Sequence, residues 1–182
     1  MLRATAPDVR LQVHVATPLD LELGLVEGRL QLVIGPLQRR RPALRYEPLY
    51  RERHQLYAGR GHPLFALPEE ALTLGQIAAA AFCVRGYREQ PLPARLKDVV
   101  PAAEAHNMEA IAHMVLSGCY LGYLPAHYAA GWRQAGTLRA LRPHELDFFS
   151  QFHLVTRRGE EADRFLATFR QGLLPAGPSV QT

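Results

Sequence analysis

The 182-residue sequence has little of what exported, membrane-spanning or disulfide-bonded proteins carry. It has two cysteines, Cys83 and Cys119, with no CxxC or Cys/His metal spacing around them. No apolar run approaches the roughly 18 residues of a membrane span, and the first residues lack the apolar core of a signal peptide. These absences predict a protein of the reducing cytoplasm that does not enter a membrane.

The motifs of the common catalytic and cofactor sites are missing as well. The sequence has no GxSxG nucleophile turn, no Gly-rich phosphate loop and no HExxH motif. His106 and His113 are seven residues apart and His62 is isolated, which is not the spacing of a metal site. We therefore expect no metal, no cofactor and no enzymatic activity.

Basic residues are slightly in excess, with a formal net charge of +4, and all but one of the 21 are arginine. This balance would permit nucleic-acid binding, but the charges do not cluster along the chain. The single run, residues 39–41, precedes Pro42. We interpret it as an exposed turn between strands rather than a phosphate-contacting patch.

Short apolar strands alternate with helical stripes, which predicts an α/β fold. Residues 9–16 alternate between apolar and polar side chains, the period of a strand. Thr17-Pro18 then begins a helix that Gly28 ends, and residues 30–34 form an apolar run typical of a buried strand. Strand, helix and strand in this order predict a βαβ unit and parallel pairing.

The remaining chain continues the alternation. Strands are predicted at 44–50, 54–58, 82–84, 102–105, 120–124 and 152–156, and helices at 73–81, 94–99, 107–118, 125–132 and 161–174. In open α/β sheets, ligands bind beyond the carboxyl ends of the strands, where helix N-termini offer free N–H groups. Candidate binding residues therefore lie at the junctions between strands and helices: Thr17, Pro18, Gly35, Arg85, Gly86, Tyr87, His106, Asn107 and Tyr123.

Four of these candidates have a simpler structural interpretation. Thr17 and Asn107 could serve only as helix N-caps. Arg85 could pair with a carboxylate, or be an ordinary solvated arginine in a loop. Tyr123 could stack on a ligand ring or fill the core.

Several stretches, in this order, resemble the effector-binding domain of LysR-type transcriptional regulators. They are Pro7–Val13, Thr17 with the helix that leads to Glu27–Ile34, His62-Pro63-Leu64, Asn107–Pro125, Ser150–Arg157 and the terminal helix 165–174. The most specific is Asn107–Pro125, which matches a helix followed by Gly, apolar, Gly, two apolar residues and Pro. Gln31 departs from the family, which usually has an acid there.

The resemblance implies an α/β fold of two lobes, of the type II periplasmic-binding-protein kind, with mixed sheets and a central cleft that holds a small effector. Lobe I would comprise residues 1–50 and 160–182, and lobe II residues 51–159. The family's N-terminal DNA-binding domain has no counterpart here. Its first strand is also missing, so we expect lobe I to distort or to borrow a partner.

The resemblance further implies a cytoplasmic regulator that forms a homodimer or higher homo-oligomer and contacts DNA only through the absent domain. It places Thr17 at the effector, and Phe149 is a weaker candidate near the end of lobe II. Arg85 and the helix N-termini favour an organic anion. Two alternatives stay open: an oligomerisation module that binds no metabolite, and an enzyme, such as a dehydratase or transferase, on the same architecture.

Overall fold

The structure is a computed structural model that describes residues 9–37, 40–87, 92–159 and 164–173. Its strands are β1 (Leu32–Gly35), β2 (Leu44–Gly59), β3 (Phe82–Arg85), β4 (Ala103–Ala105), β5 (Leu121–Pro125), β6 (Leu138–Ala140) and β7 (Phe148–Arg157). Its α-helices are α1 (Pro18–Val26), α2 (Leu74–Ala78), α3 (Met108–Leu116), α4 (Ala130–Gln134), α5 (Pro143–Leu146) and α6 (Arg164–Leu173). Short 3₁₀ turns lie at Glu69–Ala71 and Ala94–Leu96.

Strand pairing is mixed, as the predicted fold class requires. β1 pairs antiparallel with β7, and β7 neighbours β2. β5 lies between β2, to which it is antiparallel, and β3, to which it is parallel. β4 extends the parallel part from β3, and β6 pairs antiparallel with the end of β2.

The chain divides into two compact units. Unit 1 comprises residues 1–51 and 151–182, and unit 2 comprises residues 52–150. The chain leaves unit 1 within β2 and returns to it within β7. The lobe boundaries expected from the sequence, 1–50 with 160–182 and 51–159, stay a prediction.

Unit 1 has a small apolar core between α1 and its strands. Its buried members are Leu25, Val33, Leu37, Leu44 and Val155. α1 begins where sequence reasoning places it, because Pro18 occupies the first turn and Thr17 Oγ1 accepts a hydrogen bond from Asp20 N. The chain turns after α1 at Gly28, whose φ of 78° favours glycine.

The strand predicted at residues 9–16 is wrong, and so is the βαβ unit built on it. Residues 9–17 belong to no regular element, and Leu11, Val13 and Val15 are 59%, 79% and 89% exposed. Alternation specifies which side chains share a face, but a strand also needs a ladder of backbone hydrogen bonds. None of the described strands pairs with this segment, and β1 pairs antiparallel with β7 instead.

Unit 2 has a core on each face of its sheet. On one face α3 packs its buried side chains Ile111, Ala112 and Val115 against Cys83 of β3 and Leu124 of β5. On the other face Leu56, Phe82 and Leu121 pack with residues of the connecting segments. Sequence reasoning missed β6 and α5, and placed the start of α4 at Pro125 instead of Ala130. No helix in the described residues is long and apolar enough to cross a membrane.

Glycines allow the end of α3 to approach the end of β2 closely. Gly118 has a φ of 75°, and a Cβ there would lie 2.7 Å from Gly61 Cα. A Cβ at Gly59 would lie 2.2 Å from Val115 O. Because both obstacles are backbone, neither position can accept a side chain without movement of a main chain.

We predict that Gly118→Ala lowers the free energy of unfolding by about 2 kcal/mol or more, because it combines an unfavourable φ with a backbone clash. Urea unfolding measures the loss. Gly131→Ala is the matched control, since Gly131 lies inside α4 with nothing within 4 Å of a Cβ. Equal stabilities of the two variants would contradict the packing described for α3.

The turn after β2 depends on an unprotonated histidine. His62 is buried, and its Nδ1 accepts a hydrogen bond from Leu64 N at 3.1 Å. Burial lowers the pKa of His62 from its ordinary value near 6.5. The unfolded chain therefore binds a proton at a higher pH than the folded protein does at this position.

It follows that the stability contributed by neutral His62 is present above about pH 6.5 and is lost as the pH falls below that value. We predict that His62→Asn, which keeps an acceptor for Leu64 N, makes the free energy of unfolding less dependent on pH between 7.5 and 5. Chemical unfolding across this range tests it. His144→Asn, at an exposed histidine, is the control, and its free energy of unfolding should vary with pH as that of the wild type does. If the His62 variant shows the same pH dependence as the wild type, buried neutral His62 is not its source.

Candidate functional site

The parallel pairing of β3 and β4 brings two predicted junctions together in unit 2. Cys83 lies opposite Ala103 and Arg85 opposite Ala105, and Gly86 N donates to Ala105 O at 3.0 Å. Both strands therefore end at the same edge of the sheet. Arg85 is the last residue of β3, and the segments that follow the two strands, Gly86-Tyr87 and His106-Asn107, leave that edge side by side.

Gly86 and His106 are in direct contact at this edge. A Cβ on Gly86 would lie 2.7 Å from His106 Nε2 and 2.9 Å from Cε1. Glycine therefore lets the imidazole lie against the backbone that follows β3. Both residues are exposed to solvent, and Tyr87 beside them is half-buried.

The N-terminus of α3 begins at the same edge. Asn107 is extended, and its Oδ1 accepts a hydrogen bond from Ala110 N at 2.7 Å. The structure thus shows the capping role for Asn107, while its role as a ligand contact stays a prediction. Helix geometry leaves the N–H groups of Met108 and Glu109 without an intrahelical acceptor, so the helix presents donors and positive potential here.

Arg85 adds a formal positive charge to this edge. Its side chain is half-buried, and its Nη2 lies 3.7 Å from Met108 Sδ on the first turn of α3. Among the described residues, it forms no ion pair. A guanidinium beside free helix N–H groups is an arrangement that binds a carboxylate or another oxyanion.

The Tyr123 side chain makes its contacts within unit 2. Its hydroxyl donates to Leu146 O at 3.0 Å, and its ring is tilted on Phe148 with centroids 5.1 Å apart. Burial, with a smaller contribution from Asp147, raises the pKa of Tyr123, so the phenol stays a neutral donor. Phe149 of β7 is 48% exposed. Effector contact by Tyr123 or Phe149 stays a prediction.

Three predicted site residues belong to unit 1. Thr17 Oγ1 donates to Asp20 Oδ2 at 2.6 Å in addition to capping α1, and Pro18 is buried at the first helical position. Gly35 ends β1 opposite His153 of β7. These contacts explain the local structure, and the role of all three residues in ligand binding stays a prediction.

Sequence reasoning missed two features of the site in unit 2. One is Met108, whose sulfur lies beside Arg85. The other is the close approach of Gly86 to His106. The glycine after a strand was a visible signal for close backbone approach, but the partner depends on the pairing of β3 with β4, which is not local in sequence.

We predict that Asn107→Ala lowers the free energy of unfolding by about 1 kcal/mol, because Ala110 N loses its acceptor. Asn107→Asp should keep most of the stability, since a carboxylate also caps a helix. Thermal and urea unfolding of both variants measure the difference. Equal losses in the two variants would show that the acceptor for Ala110 N is not the source of the stability that Asn107 contributes.

Comparison with known proteins gives one consistent picture. A family model described as "LysR substrate binding domain" matches residues 1–177. The HTH-type transcriptional activator BauR of Pseudomonas aeruginosa is 35% identical over 173 residues, which are 94% of this chain and 57% of BauR. The chain therefore spans somewhat more than half the length of this curated relative.

Solved structures of low sequence identity share the fold. The regulatory domain of MetR, a LysR family regulator from N. meningitidis, matches with a TM-score of 0.72 at 18% identity, over 97% of this chain and 83% of that domain. CrgA, a LysR-type regulator from Neisseria meningitidis, matches with a TM-score of 0.78 at 18% identity, over 97% of this chain and 61% of the CrgA chain. LysG of Corynebacterium glutamicum with bound effector Arg matches with a TM-score of 0.69 at 18% identity, over 92% of this chain and 57% of the LysG chain.

Proposed function

Because the chain belongs to the LysR substrate-binding domain family, we propose that it senses a small organic anion through the edge of unit 2 formed by Arg85, Gly86, Tyr87, His106 and Asn107. The observation that carries this proposal is the convergence of Arg85 and the N-terminus of α3 at the ends of two parallel strands. Neither feature alone would specify a ligand. Together they offer a charge and oriented N–H donors to one oxyanion.

The effector class follows from these donors. A planar guanidinium pairs with a carboxylate through two hydrogen bonds, and helix N–H groups bind the same group. The structure of the family relative LysG contains arginine as its effector, and an amino acid carries such a carboxylate. Arginine and other small carboxylates are therefore the first probes for this chain.

Sensing requires that the effector bind one state of the regulator more tightly than the other. The effector can change the free-energy difference between the two states only by the difference between its binding free energies for them, typically about 1–3 kcal/mol. Arg85 is the last residue of β3 and contacts Met108 on the first turn of α3, so an anion bound there would link these two elements. That link is the simplest source of a difference in affinity between states.

The remaining assignments follow from the family. We assign this chain to a homodimeric or higher oligomeric regulator of the cytoplasm, without enzymatic activity. In a regulator of the kind that the name of BauR denotes, DNA contact would fall to a helix-turn-helix domain rather than to the effector-binding domain. The supporting facts are the family match and the regulators among the relatives.

Calorimetric titration with arginine and a panel of small carboxylates tests the site. We predict that Arg85→Gln weakens binding of the responding compound about tenfold or more, because a charge-assisted hydrogen bond is lost. Asn107→Asp should weaken it as well, since it keeps the helix cap but adds a repelling charge. Arg95→Gln is the matched control, because Arg95 is exposed and pairs with Glu145.

The two site variants must retain the wild-type unfolding midpoint for the comparison to hold. Loss of affinity in Arg85→Gln and Asn107→Asp, with the Arg95 variant unchanged, supports the site. Binding that is equal in all four proteins places the effector elsewhere. The absence of any binding across the panel would favour the oligomerisation module instead.

A further inference from the structure

Unit 1 contains a second group of polar side chains that the effector site in unit 2 does not use. Arg40, Tyr46 and His153 contact one another where β1 ends, and we call them the Arg40 cluster. His153 lies on β7 opposite Gly35, the last residue of β1. Tyr46 lies on β2, the neighbour of β7.

Aromatic contacts hold the Arg40 guanidinium in place. Its Cζ lies 4.8 Å from the centroid of the Tyr46 ring, and its Nη2 lies 3.4 Å from His153 Nε2. The Tyr46 and His153 rings meet edge to face with centroids 6.2 Å apart. Tyr46 is itself fixed, because its hydroxyl accepts a hydrogen bond from Arg41 N at 3.2 Å. The guanidinium is therefore oriented although Arg40 is exposed.

The contact with Arg40 determines the state of His153. A guanidinium can only donate, so Nε2 accepts and the imidazole is neutral with its hydrogen on Nδ1. His153 is only 7% exposed, and no atom of the described residues forms a hydrogen bond with its buried Nδ1. Burial, and next the charge of Arg40, lower the pKa of His153. The histidine therefore adds no positive charge of its own.

Two acids of the described residues, Glu22 and Glu47, are paired with other arginines. Arg41 Nε donates to Glu22 Oε2 at 2.8 Å. Glu47 pairs with Arg45 and with Arg170. Among the described residues, Arg40 has no carboxylate partner, while four of its five N–H donors are not used by His153. The guanidinium is thus oriented, exposed to solvent and without a counter-charge in this part of the chain.

We propose that Arg40 is an anion-binding residue that takes a small carboxylate or phosphate oxyanion at the end of β1 in unit 1. Sequence reasoning assigned the run that contains Arg40 to a solvated turn, and the structure adds the aromatic support that distinguishes Arg40 from a mobile surface arginine. This site does not depend on Arg85, so it can be tested independently of the effector site in unit 2.

His153 is a built-in reporter for this site. An anion on Arg40 cancels part of the charge that lowers the pKa of His153, so binding should raise this pKa. We would record the ring ¹⁵N resonances of the histidines while titrating the chain with sodium phosphate or sodium acetate, with sodium chloride holding the ionic strength constant. Thermal unfolding in the same solutions measures binding independently, since a ligand of the folded state raises the midpoint.

We expect saturable shifts of the His153 resonances and a higher unfolding midpoint in at least one oxyanion, and neither effect in chloride. The anion that gives the stronger response, phosphate or acetate, shows whether the site prefers a phosphate or a carboxylate group. Arg40→Gln should weaken binding of the oxyanion about tenfold or more. The affinity of Arg40→Lys should lie between those of the wild type and Arg40→Gln, since lysine keeps the charge but loses the planar donors. Arg45→Gln is the control, because Arg45 pairs with Glu47.

Three results would overturn the proposal. They are identical responses to oxyanions and chloride, full binding in Arg40→Gln, and equal loss in the Arg45 variant. Arg85→Gln separates the two sites. It should leave the response of His153 unchanged even where it abolishes effector binding in unit 2.

Discussion

The parallel register of β3 and β4 is the constraint on which the candidate site depends. Arg85 opposite Ala105 means that both strands end together, so the residues after them leave the sheet as neighbours. The hydrogen bond from Gly86 N to Ala105 O extends this pairing one residue past β3. A slip of one residue would move Arg85 away from the start of α3 and turn its side chain to the other face of the sheet.

The packing of α3 fixes the other half of the site. Its apolar face lies on β3 and β5, where Gly122 leaves room for Val115 and Ile111 within 3.3 Å of a Cβ position. At its far end Gly118 fits against Gly61. These contacts hold the helix along its length, so its N-terminus is presented at the sheet edge without support from a ligand. Such preorganisation lowers the cost of binding.

Much of unit 2 could be predicted from local sequence. Asn107 before an apolar stripe and Gly118 after it specify α3, and short apolar runs locate β3 and β5. The LysR effector-domain family, the α/β class and the mixed sheet are confirmed. The strand predicted at 9–16 failed because alternation cannot show whether a hydrogen-bonding partner exists. Likewise, no local pattern could place His153 beside Arg40, since 113 residues separate them.

The most direct test of the account follows individual backbone amides while a bound anion is added. In ¹H–¹⁵N spectra of the chain titrated with the compound that binds in calorimetry, we predict that the amides of Gly86, Met108 and Glu109 shift together and saturate at one concentration. These groups surround the place where an oxyanion would meet Arg85. Saturating shifts confined to residues elsewhere, with these three amides unmoved, would contradict the central claim.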